Sequence, residues 1–291
     1  TIHADIICGG SPCQDLSTAG RRAGMADGTR SNLWVMMREA ISHIRPQRVV
    51  WENVRGAYSA RADSAMESDE GLLGDHPAGQ PALRALGRVL GDLADLGYDA
   101  QWCGLRAADV GAPHGRFRVF LLATRRDAAD ADQQGLEGQQ NQAGAAQAGR
   151  HGHALAGAGG PDLTLLPTPT SNLGSNGGPQ DPDKRRAGGH SVSIEDAVHG
   201  IASWGKYAGA IARWEAIHGP TPAPTMTSPR SGNQQLSPAF TEWMMGLPAG
   251  WITDVPGITR AEALKLCGNG VVPAQAAAAL RFMLTRQEVA A

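Results

Sequence analysis

A cysteine that follows a short apolar run is the residue of this chain best suited to chemistry. Cys13 lies in Pro12-Cys13-Gln14, just after a short apolar run over residues 6–10. A strand is predicted over residues 4–8. Ligands of open α/β sheets bind outside the carboxyl ends of the strands, so we expect this thiol to face a crevice. Cysteine can attack a weakly electrophilic carbon at neutral pH. Because a free cysteine is more often a small buried hydrophobic residue, the role of Cys13 depends on its neighbours.

A carboxyl group lies near the end of the next predicted strand. Residues 48–54 (RVVWENV) have the pattern of a strand, and Glu52 and Asn53 lie near its end. The ends of neighbouring parallel strands lie side by side, so we expect Glu52 close to Cys13. A carboxyl beside a thiolate and an apolar wall has a raised pKa and can donate a proton near neutral pH. Considered alone, Glu52 could as well be a surface residue at a turn. The combination of Glu52 with Cys13 indicates acid catalysis.

Two arginines precede a later predicted strand. Arg116 and Arg118 alternate in an extended segment, so both are expected to point to the same side. Two guanidinium groups on one face suit phosphate oxygens or the carbonyl of a base. The alternative is the solvated edge of a strand.

The predicted elements that position these residues alternate between strand and helix. Apolar spacing predicts helices over residues 32–44 and 81–96, and strands over residues 4–8, 48–54, 98–105 and 119–124. Such alternation indicates a mostly parallel sheet with crossover helices.

The amino-acid composition changes along the rest of the chain. Residues 127–162 are rich in Ala, Gly and Gln and contain no Val, Ile, Thr, Phe, Tyr or Trp, which predicts a flexible insertion. Residues 163–235 carry Thr-Pro repeats and a Lys-Arg-Arg cluster, and are expected to form a smaller, loop-rich domain. Residues 236–291 regain a strong pattern, with a terminal helix beginning at Pro273.

Composition limits the classes of function. The formal net charge of the 291 residues is -2, so a nucleic-acid-binding surface would have to concentrate its positive charge locally. The four cysteines include no C-x-x-C pair, which argues against a zinc site, and scattered single cysteines suit a reducing compartment. With no long apolar run and no signal-like start, we expect a soluble cytoplasmic protein without a membrane partner.

Taken in order, the motifs resemble those of the DNA cytosine-5 methyltransferases. They are Pro-Cys-Gln at residues 12–14, Glu-Asn-Val at 52–54, Arg-x-Arg at 116–118, Met-Gly-Leu-Pro at 245–248 and Gly-Asn-Gly-Val-Val-Pro at 268–273. The resemblance implies an α/β fold: a partial Rossmann-like S-adenosylmethionine-methyltransferase sheet with a smaller, loop-rich target-recognition domain. It covers both ends of the chain and skips the middle.

The same resemblance assigns a domain to each part of the chain. It implies a catalytic domain over residues 1–126, the insertion over 127–162, target recognition over 163–235, and a return to the catalytic domain over 236–291.

The resemblance also implies a mechanism. Cys13 would attack C6 of a flipped cytosine, Glu52 would protonate ring N3, and C5 would take a methyl group from S-adenosylmethionine. Arg118, and less directly Arg116, would bind the base carbonyl and a nearby phosphate. Asn53 would hold either the Glu52 loop or the edge of the base. The expected partner is double-stranded DNA, in a restriction–modification setting.

Further residues follow from the resemblance as binding candidates. For the cofactor they are Pro12, Leu33, Asn269 and Val271. For DNA they are Gln14, Ser17, Lys184, Arg185 and Arg186, although a charge run such as the last three is as often simply solvated. Residues 15–31 resemble the family's mobile loop that closes over the flipped base.

The chain departs from the family in two places. His114 stands where the family usually has Gln, and the family's opening Phe-x-Gly-x-Gly cofactor loop is not visible before Cys13. Three hypotheses follow: a piece of a longer methyltransferase, one subunit of a split enzyme whose cofactor-binding half is a second chain, or an inactive DNA-binding relative. The presence of Cys13, Glu52 and Arg118 favours the first two.

An enzyme that methylates uracil rings is the alternative from another class. Such enzymes also use a cysteine attack on C6, often within Pro-Cys. They lack the Glu-Asn-Val and Gly-Asn-Gly-Val-Val-Pro motifs, which disfavours this reading.

Overall fold

The computed structural model describes residues 3–10, 33–58, 84–126, 153–154, 163–173 and 178–290. The chain divides into two compact units. The first contains residues 1–104, 117–155 and 279–291, and the second contains residues 105–116 and 156–278. The functional domain boundaries expected from the sequence are a separate matter and stay a prediction.

The first unit is an α/β unit, as the sequence predicts. Its strands and helices are β1 (Ile6–Gly9), α1 (Trp34–Ile44), β2 (Arg48–Val54), α2 (Ala85–Asp95), β3 (Tyr98–Arg106), β4 (Phe117–Arg125) and the short β5 (His153–Ala154). They form a sheet in the order β1-β2-β4-β3-β5.

The sheet is mixed: it has the parallel pairing that the sequence predicts, and also an antiparallel pair that the sequence does not predict. Strands β1 and β2 pair in parallel, joined through α1. Strands β2 and β4 pair antiparallel. Strands β3 and β4 are joined by residues 107–116, which contain one 3₁₀ turn (Ala107–Val110) and a loop. This connection is too short for a crossover helix. The hydrophobic pattern identifies strands, but it does not fix their relative direction.

The core of the first unit lies under α1 and α2. Trp34 on α1 and Trp51 on β2 pack edge to face, with ring centroids 6.3 Å apart. The Trp34 indole Nε1 donates to Asp92 on α2 at 2.7 Å, which joins the two helices. Helix α2 buries apolar residues at the three- and four-residue spacing that predicted it, whereas α1 buries Trp34 and Ile41, which are seven residues apart.

The second unit contains mostly short helices. Its elements are α3 (Pro182–Ala187), α4 (Ile194–Val198), α5 (Ala208–His218), an antiparallel pair β6 (Thr225–Thr227) and β7 (Gln234–Leu236), α6 (Pro238–Met244) and α7 (Arg260–Asn269). The last helix, α8 (Pro273–Ala290), begins in this unit and ends in the first. The predicted terminal helix is therefore confirmed, and it continues beyond the predicted stretch.

The core of the second unit is aromatic. The rings of Trp204, Phe240 and Trp243 stack in sequence, with neighbouring centroids 5.7 Å and 6.0 Å apart. Trp214 is fully buried, and its Nε1 donates to the Trp243 carbonyl at 2.8 Å.

Within the described residues, no helix is both long and apolar enough to span a membrane.

The packing of α2 gives a stability prediction. Leu93 is fully buried on this helix, whereas Met36 on α1 is 62% exposed. We expect Leu93→Ala to lower the free energy of unfolding by about 2–5 kcal/mol, because it removes buried methyl groups and leaves a cavity. Met36→Ala should change it by less than about 0.5 kcal/mol. Urea unfolding followed by circular dichroism measures both, and equal losses would contradict this assignment of the core.

Candidate active site

Glu52 lies on the more open face of β2. Along this strand Val49, Trp51 and Asn53 are buried, while Val50 and Glu52 between them are only half-buried. Successive side chains of a strand point to opposite faces, so the residues that anchor the core leave the Glu52 carboxylate on the other side.

Arg118 on β4 forms an ion pair with Glu52. The antiparallel register places Val54 opposite Arg118 and Glu52 opposite Phe120, so Glu52 and Arg118 are diagonal neighbours on one face of the sheet. The Arg118 Nε lies 2.7 Å from the Glu52 Oε1. Their side chains are only 13% and 23% exposed, a setting in which charge-assisted hydrogen bonds are strong.

This pair modifies the role expected for Glu52. A guanidinium in contact with a carboxylate stabilises its ionised form, whereas acid catalysis needs the protonated form. Arg118 also donates from Nη1 to the Phe117 carbonyl at 2.9 Å, which holds the guanidinium near the strand.

The parallel strand β1 brings Gly10 against the same carboxylate. Gly9 is in register with Trp51, so the chain that leaves β1 runs beside Glu52. A Cβ placed on Gly10 would lie 2.9 Å from the Glu52 carbonyl oxygen and 3.2 Å from Glu52 Oε2. Gly10 is thus a site residue that the motif analysis missed, and the Gly9-Gly10 doublet before the cysteine motif was its available signal.

The other residues predicted near this point lie outside the described part of the chain. They are Pro12, Cys13, Gln14 and Ser17. The expected approach of Cys13 to Glu52 therefore stays a prediction, supported by the parallel pairing of β1 and β2.

Two of the remaining cysteines are poor nucleophiles. Burial raises the pKa of the Cys103 thiol to about 11. Burial, with a contribution from the Glu242 charge, raises the pKa of Cys267 to about 12. Both stay protonated at neutral pH, whereas Cys8 on β1 is exposed and offers a natural comparison for Cys13.

Asn53 faces the core rather than the open side. It is buried, and its Oδ1 accepts a hydrogen bond from the Val54 backbone N–H at 2.8 Å. Both roles expected for Asn53 stay predictions, and the Val54 contact is compatible with holding the end of β2 that carries Glu52.

Arg116 does not share the surroundings of Arg118. It belongs to the second unit, where it is 4% exposed. Its guanidinium donates to the backbone carbonyls of Pro169, Gly268 and Gly270 at 3.2, 3.0 and 2.6 Å. These carbonyls engage both terminal nitrogens of the guanidinium, and the expected contact of Arg116 with a base or phosphate stays a prediction.

His114 fills its position as a packing residue. It is fully buried, and its Nε2 lies 3.1 Å from the Met244 carbonyl, while its Nδ1 accepts from the Arg116 backbone N–H at 3.4 Å. These partners assign the proton to Nε2. The neutral ring thus offers one donor and one acceptor, as a glutamine amide can.

Three of the four predicted cofactor residues lie in the described part of the chain, and each of these three is at least partly exposed. Leu33 is 51% exposed and immediately precedes α1 in the first unit. Asn269 is exposed at the end of α7 in the second unit, and Val271 is half-buried just after it. Their role as cofactor contacts stays a prediction.

The predicted basic DNA-binding segment is only partly available to a ligand. Lys184, Arg185 and Arg186 lie on α3, and the Arg185 Nε bonds to the buried Asp196 carboxylate at 2.9 Å. Arg186 forms an exposed ion pair with Asp183. Lys184 is exposed. Arg185 therefore packs the domain, which leaves Lys184 as the stronger candidate for phosphate contact.

Asp196 anchors this segment. Burial alone would raise the pKa of its carboxyl, but hydrogen bonds from the Gln180 and Ser193 backbone, the Ser193 hydroxyl and Arg185 outweigh it. The net result is a pKa below the value of about 3.8 usual for aspartate. The charged carboxylate is therefore the form that stabilises the folded domain.

Comparisons with known proteins identify a family. The model of the family described as C-5 cytosine-specific DNA methylase matches residues 1–283. The Type II methyltransferase M.NgoBV of Neisseria gonorrhoeae is 32% identical over 127 residues, which cover 43% of this chain and 26% of that protein. M.AquIA of Picosynechococcus is 32% identical over 124 residues, which cover 43% of this chain and 45% of that protein. The matched stretch is thus less than half the length of these curated relatives.

Solved structures are similar at a lower level. The S. pombe Dnmt2 methyltransferase covers 97% of this chain and 78% of its own, with 13% identity and a TM-score of 0.47. A putative DNA modification methyltransferase from an E. coli prophage has 15% identity, a TM-score of 0.41 and the same coverage.

The anchoring of α3 gives a pH-dependent prediction. We expect Asp196→Asn to lower the free energy of unfolding by about 2–3 kcal/mol at neutral pH, because charge-assisted hydrogen bonds to a buried group are lost. Since the folded-state pKa is depressed, the stabilisation is complete above the unfolded pKa and is lost as the pH falls through the lower, folded value. The difference between wild type and variant should therefore shrink below about pH 4.

Urea unfolding at several pH values measures this difference. Asp183→Asn removes the carboxylate of the exposed pair on the same helix and serves as the control, with little expected change. A pH-independent difference for Asp196→Asn would contradict the electrostatic assignment.

Proposed function

The chain belongs to the C-5 cytosine-specific DNA methylase family, and on this premise we propose that it methylates C5 of a cytosine in double-stranded DNA, with S-adenosylmethionine as the donor. The contact that carries the proposal is the Glu52–Arg118 ion pair beside Gly10. It places a carboxylate and a guanidinium at the exit of the strand that leads into Pro12-Cys13-Gln14. These groups are the ones that activation of a pyrimidine requires.

The proposed reaction begins with the cysteine. The Cys13 thiolate bonds to C6 of the base, and the electrons of the C5–C6 double bond move toward C4 as ring N3 takes a proton from Glu52. The product is an enamine with a nucleophilic C5. When bound, S-adenosylmethionine supplies an electrophilic methyl group to that carbon. A base then takes the C5 proton, and the electrons of that bond re-form the C5–C6 double bond as Cys13 leaves as the thiolate. N3 returns its proton to the Glu52 carboxylate, which restores the aromatic ring.

Arg118 has two roles in this proposal. Before the base binds, it holds the Glu52 carboxylate in a fixed orientation. The carbonyl oxygen of the base is an alternative acceptor for the same guanidinium. As Arg118 turns to that oxygen, it stabilises the ionised state of Glu52 less, and the carboxyl can then hold the proton that it shares with N3. Binding of the base and activation of the acid are thereby linked.

The reaction requires the target base to leave the duplex. C6 of a stacked cytosine is inaccessible to a thiol, so the nucleotide must be flipped out, at a cost of a few kcal/mol. We propose that Gln14 and Ser17, which follow the nucleophile, contact the flipped nucleotide and its flanks. Residues 163–235 would recognise the target DNA sequence. The reaction would take place in the cytoplasm of the host cell.

We propose that Pro12, Leu33, Asn269 and Val271 hold the cofactor. The exposed Asn269 amide suits the polar ribose or amino acid moiety, and the exposed Leu33 side chain suits the face of the adenine. These side chains offer the polar and apolar contacts that S-adenosylmethionine, the proposed methyl donor, would need.

A covalent trap tests the nucleophile. In a long DNA duplex carrying 5-fluorocytosine at every cytosine, a methylated C5 has no proton to lose, so Cys13 cannot be expelled. We expect a stable adduct when S-adenosylmethionine is present, detected by gel shift under denaturing conditions and mapped by mass spectrometry. Cys13→Ser should abolish it, whereas Cys8→Ser, which removes the exposed thiol of β1, should not.

Each other outcome of the trap has a stated meaning. An adduct that persists in Cys13→Ser contradicts the assignment of the nucleophile. No adduct with the wild-type chain contradicts activity of this chain alone. An adduct that appears only after a second, cofactor-binding chain is added assigns the activity to the pair.

The salt dependence of DNA binding tests the basic segment. If Lys184 contacts a phosphate, Lys184→Ala should reduce the slope of log affinity against log salt concentration by about 0.9. Lys265→Ala, which removes another exposed lysine of the second unit, is the control and should leave the slope unchanged. Equal slopes for wild type and both variants would remove Lys184 from the interface.

A further inference from the structure

Arg116 binds three backbone carbonyls that belong to two separate segments of the second unit. Pro169 lies in the segment 163–173, and Gly268 and Gly270 lie at the end of α7 and just after it. The shortest contact, 2.6 Å, runs from Nη2 to the Gly270 carbonyl. A planar guanidinium with donors in fixed directions can hold several carbonyls at set angles, which a lysine ammonium does not do.

The carbonyls that Arg116 binds flank a proposed cofactor contact. Gly268 and Gly270 are the immediate neighbours of Asn269, and Val271 follows. We call residues 268–271 the glycine turn. The Gly268 carbonyl belongs to the peptide unit that precedes Asn269, and the Gly270 carbonyl belongs to the peptide unit that precedes Val271. Arg116 therefore fixes the orientation of one peptide unit beside each of these two residues.

A second contact holds the glycine turn from the same direction. A Cβ placed on Gly268 would lie 2.2 Å from the Thr170 carbonyl carbon and 2.4 Å from the Ser171 nitrogen, so the two backbones approach too closely for any side chain. The Pro169 carbonyl, which Arg116 also binds, immediately precedes this point. The guanidinium and the close approach therefore join the same two segments.

The backbone of Arg116 is itself held in place. Gln275, near the start of α8, is fully buried, and its Nε2 donates to the Arg116 carbonyl at 3.0 Å and to the Leu105 carbonyl at 2.6 Å. His114 accepts from the Arg116 backbone N–H. Both the backbone of Arg116 and its guanidinium are therefore held by hydrogen bonds.

We propose that Arg116 is a positioning residue that holds the glycine turn in the conformation that presents Asn269 and Val271 to the cofactor. The inference rests on the proposed function for the identity of that ligand. It separates the two arginines of the Arg-x-Arg motif: Arg118 acts toward the base, and Arg116 acts through the cofactor-binding backbone without touching substrate.

The test compares Arg116→Lys with Arg213→Lys. Arg213 also donates to two backbone carbonyls of the second unit, those of Gly111 and Ala112, but it does not contact the glycine turn. Hydrogen–deuterium exchange of the apo protein provides a readout that needs neither cofactor nor activity. We expect Arg116→Lys to speed exchange in the peptides covering residues 166–173 and 266–272 by at least about fivefold, since bonds to a charged donor are lost. Arg213→Lys should leave these peptides unchanged.

A second readout is the affinity for S-adenosylmethionine, measured by calorimetry. We expect Arg116→Lys to weaken it by about tenfold, with the affinity for duplex DNA changed by less than about twofold. Gly268→Ala, which leaves Arg116 intact but separates residues 268 and 170, should reproduce this pattern.

The outcomes are distinguishable. Unchanged exchange in the glycine turn of Arg116→Lys, or faster exchange throughout the second unit, contradicts the inference, because Arg116 would then be dispensable or merely a general stabilising residue. A loss of DNA affinity with unchanged cofactor affinity would indicate that Arg116 contacts the DNA, and it would contradict the inference. If the wild-type chain binds no S-adenosylmethionine, the proposed function of this chain alone fails, and the exchange comparison still decides whether Arg116 positions the turn.

Discussion

The ion pair between Glu52 and Arg118 is the contact on which the candidate site depends. It exists because β2 and β4 run antiparallel in a register that makes the two residues diagonal neighbours on one face. The parallel strand β1 adds the third side, where Gly10 has no side chain and can approach the carboxylate. The opposite face of β2 packs into the core through Trp51 and Asn53, so the strand cannot rotate without unfolding the first unit.

The arginines on either side of Phe117 illustrate how one short motif can serve two ends of a reaction. Arg118 faces a carboxylate in the first unit, and Arg116 holds carbonyls around Asn269 in the second. A guanidinium suits both tasks because it stays charged and offers donors in fixed directions. In our account the motif therefore contributes to the binding of the base through one residue and to the binding of the cofactor through the other.

Local pattern was sufficient to predict α1, α2 and β1 to β4 of the first unit, because apolar periodicity indicates a buried face. It did not predict β5, which lies within the expected insertion over residues 127–162. It did not predict strand direction: β4 runs antiparallel to β2, and only the short connection after β3 carried that information. Side-chain partners were the harder part. Arg116 meets residues more than 50 positions away, and Arg185 is neutralised by Asp196. No spacing rule identifies such distant partners, so charge alone made both arginines look available to DNA.

The most direct test of the central claim is a double-mutant cycle on Glu52 and Arg118. Single-turnover methyl transfer to duplex DNA would be measured for wild type, Glu52→Gln, Arg118→Lys and the double variant. If the pair acts as one unit that binds and protonates the base, the double variant should be no more than about tenfold slower than the slower single variant. Rate losses that simply multiply, or a single variant that keeps the wild-type rate, would contradict the account.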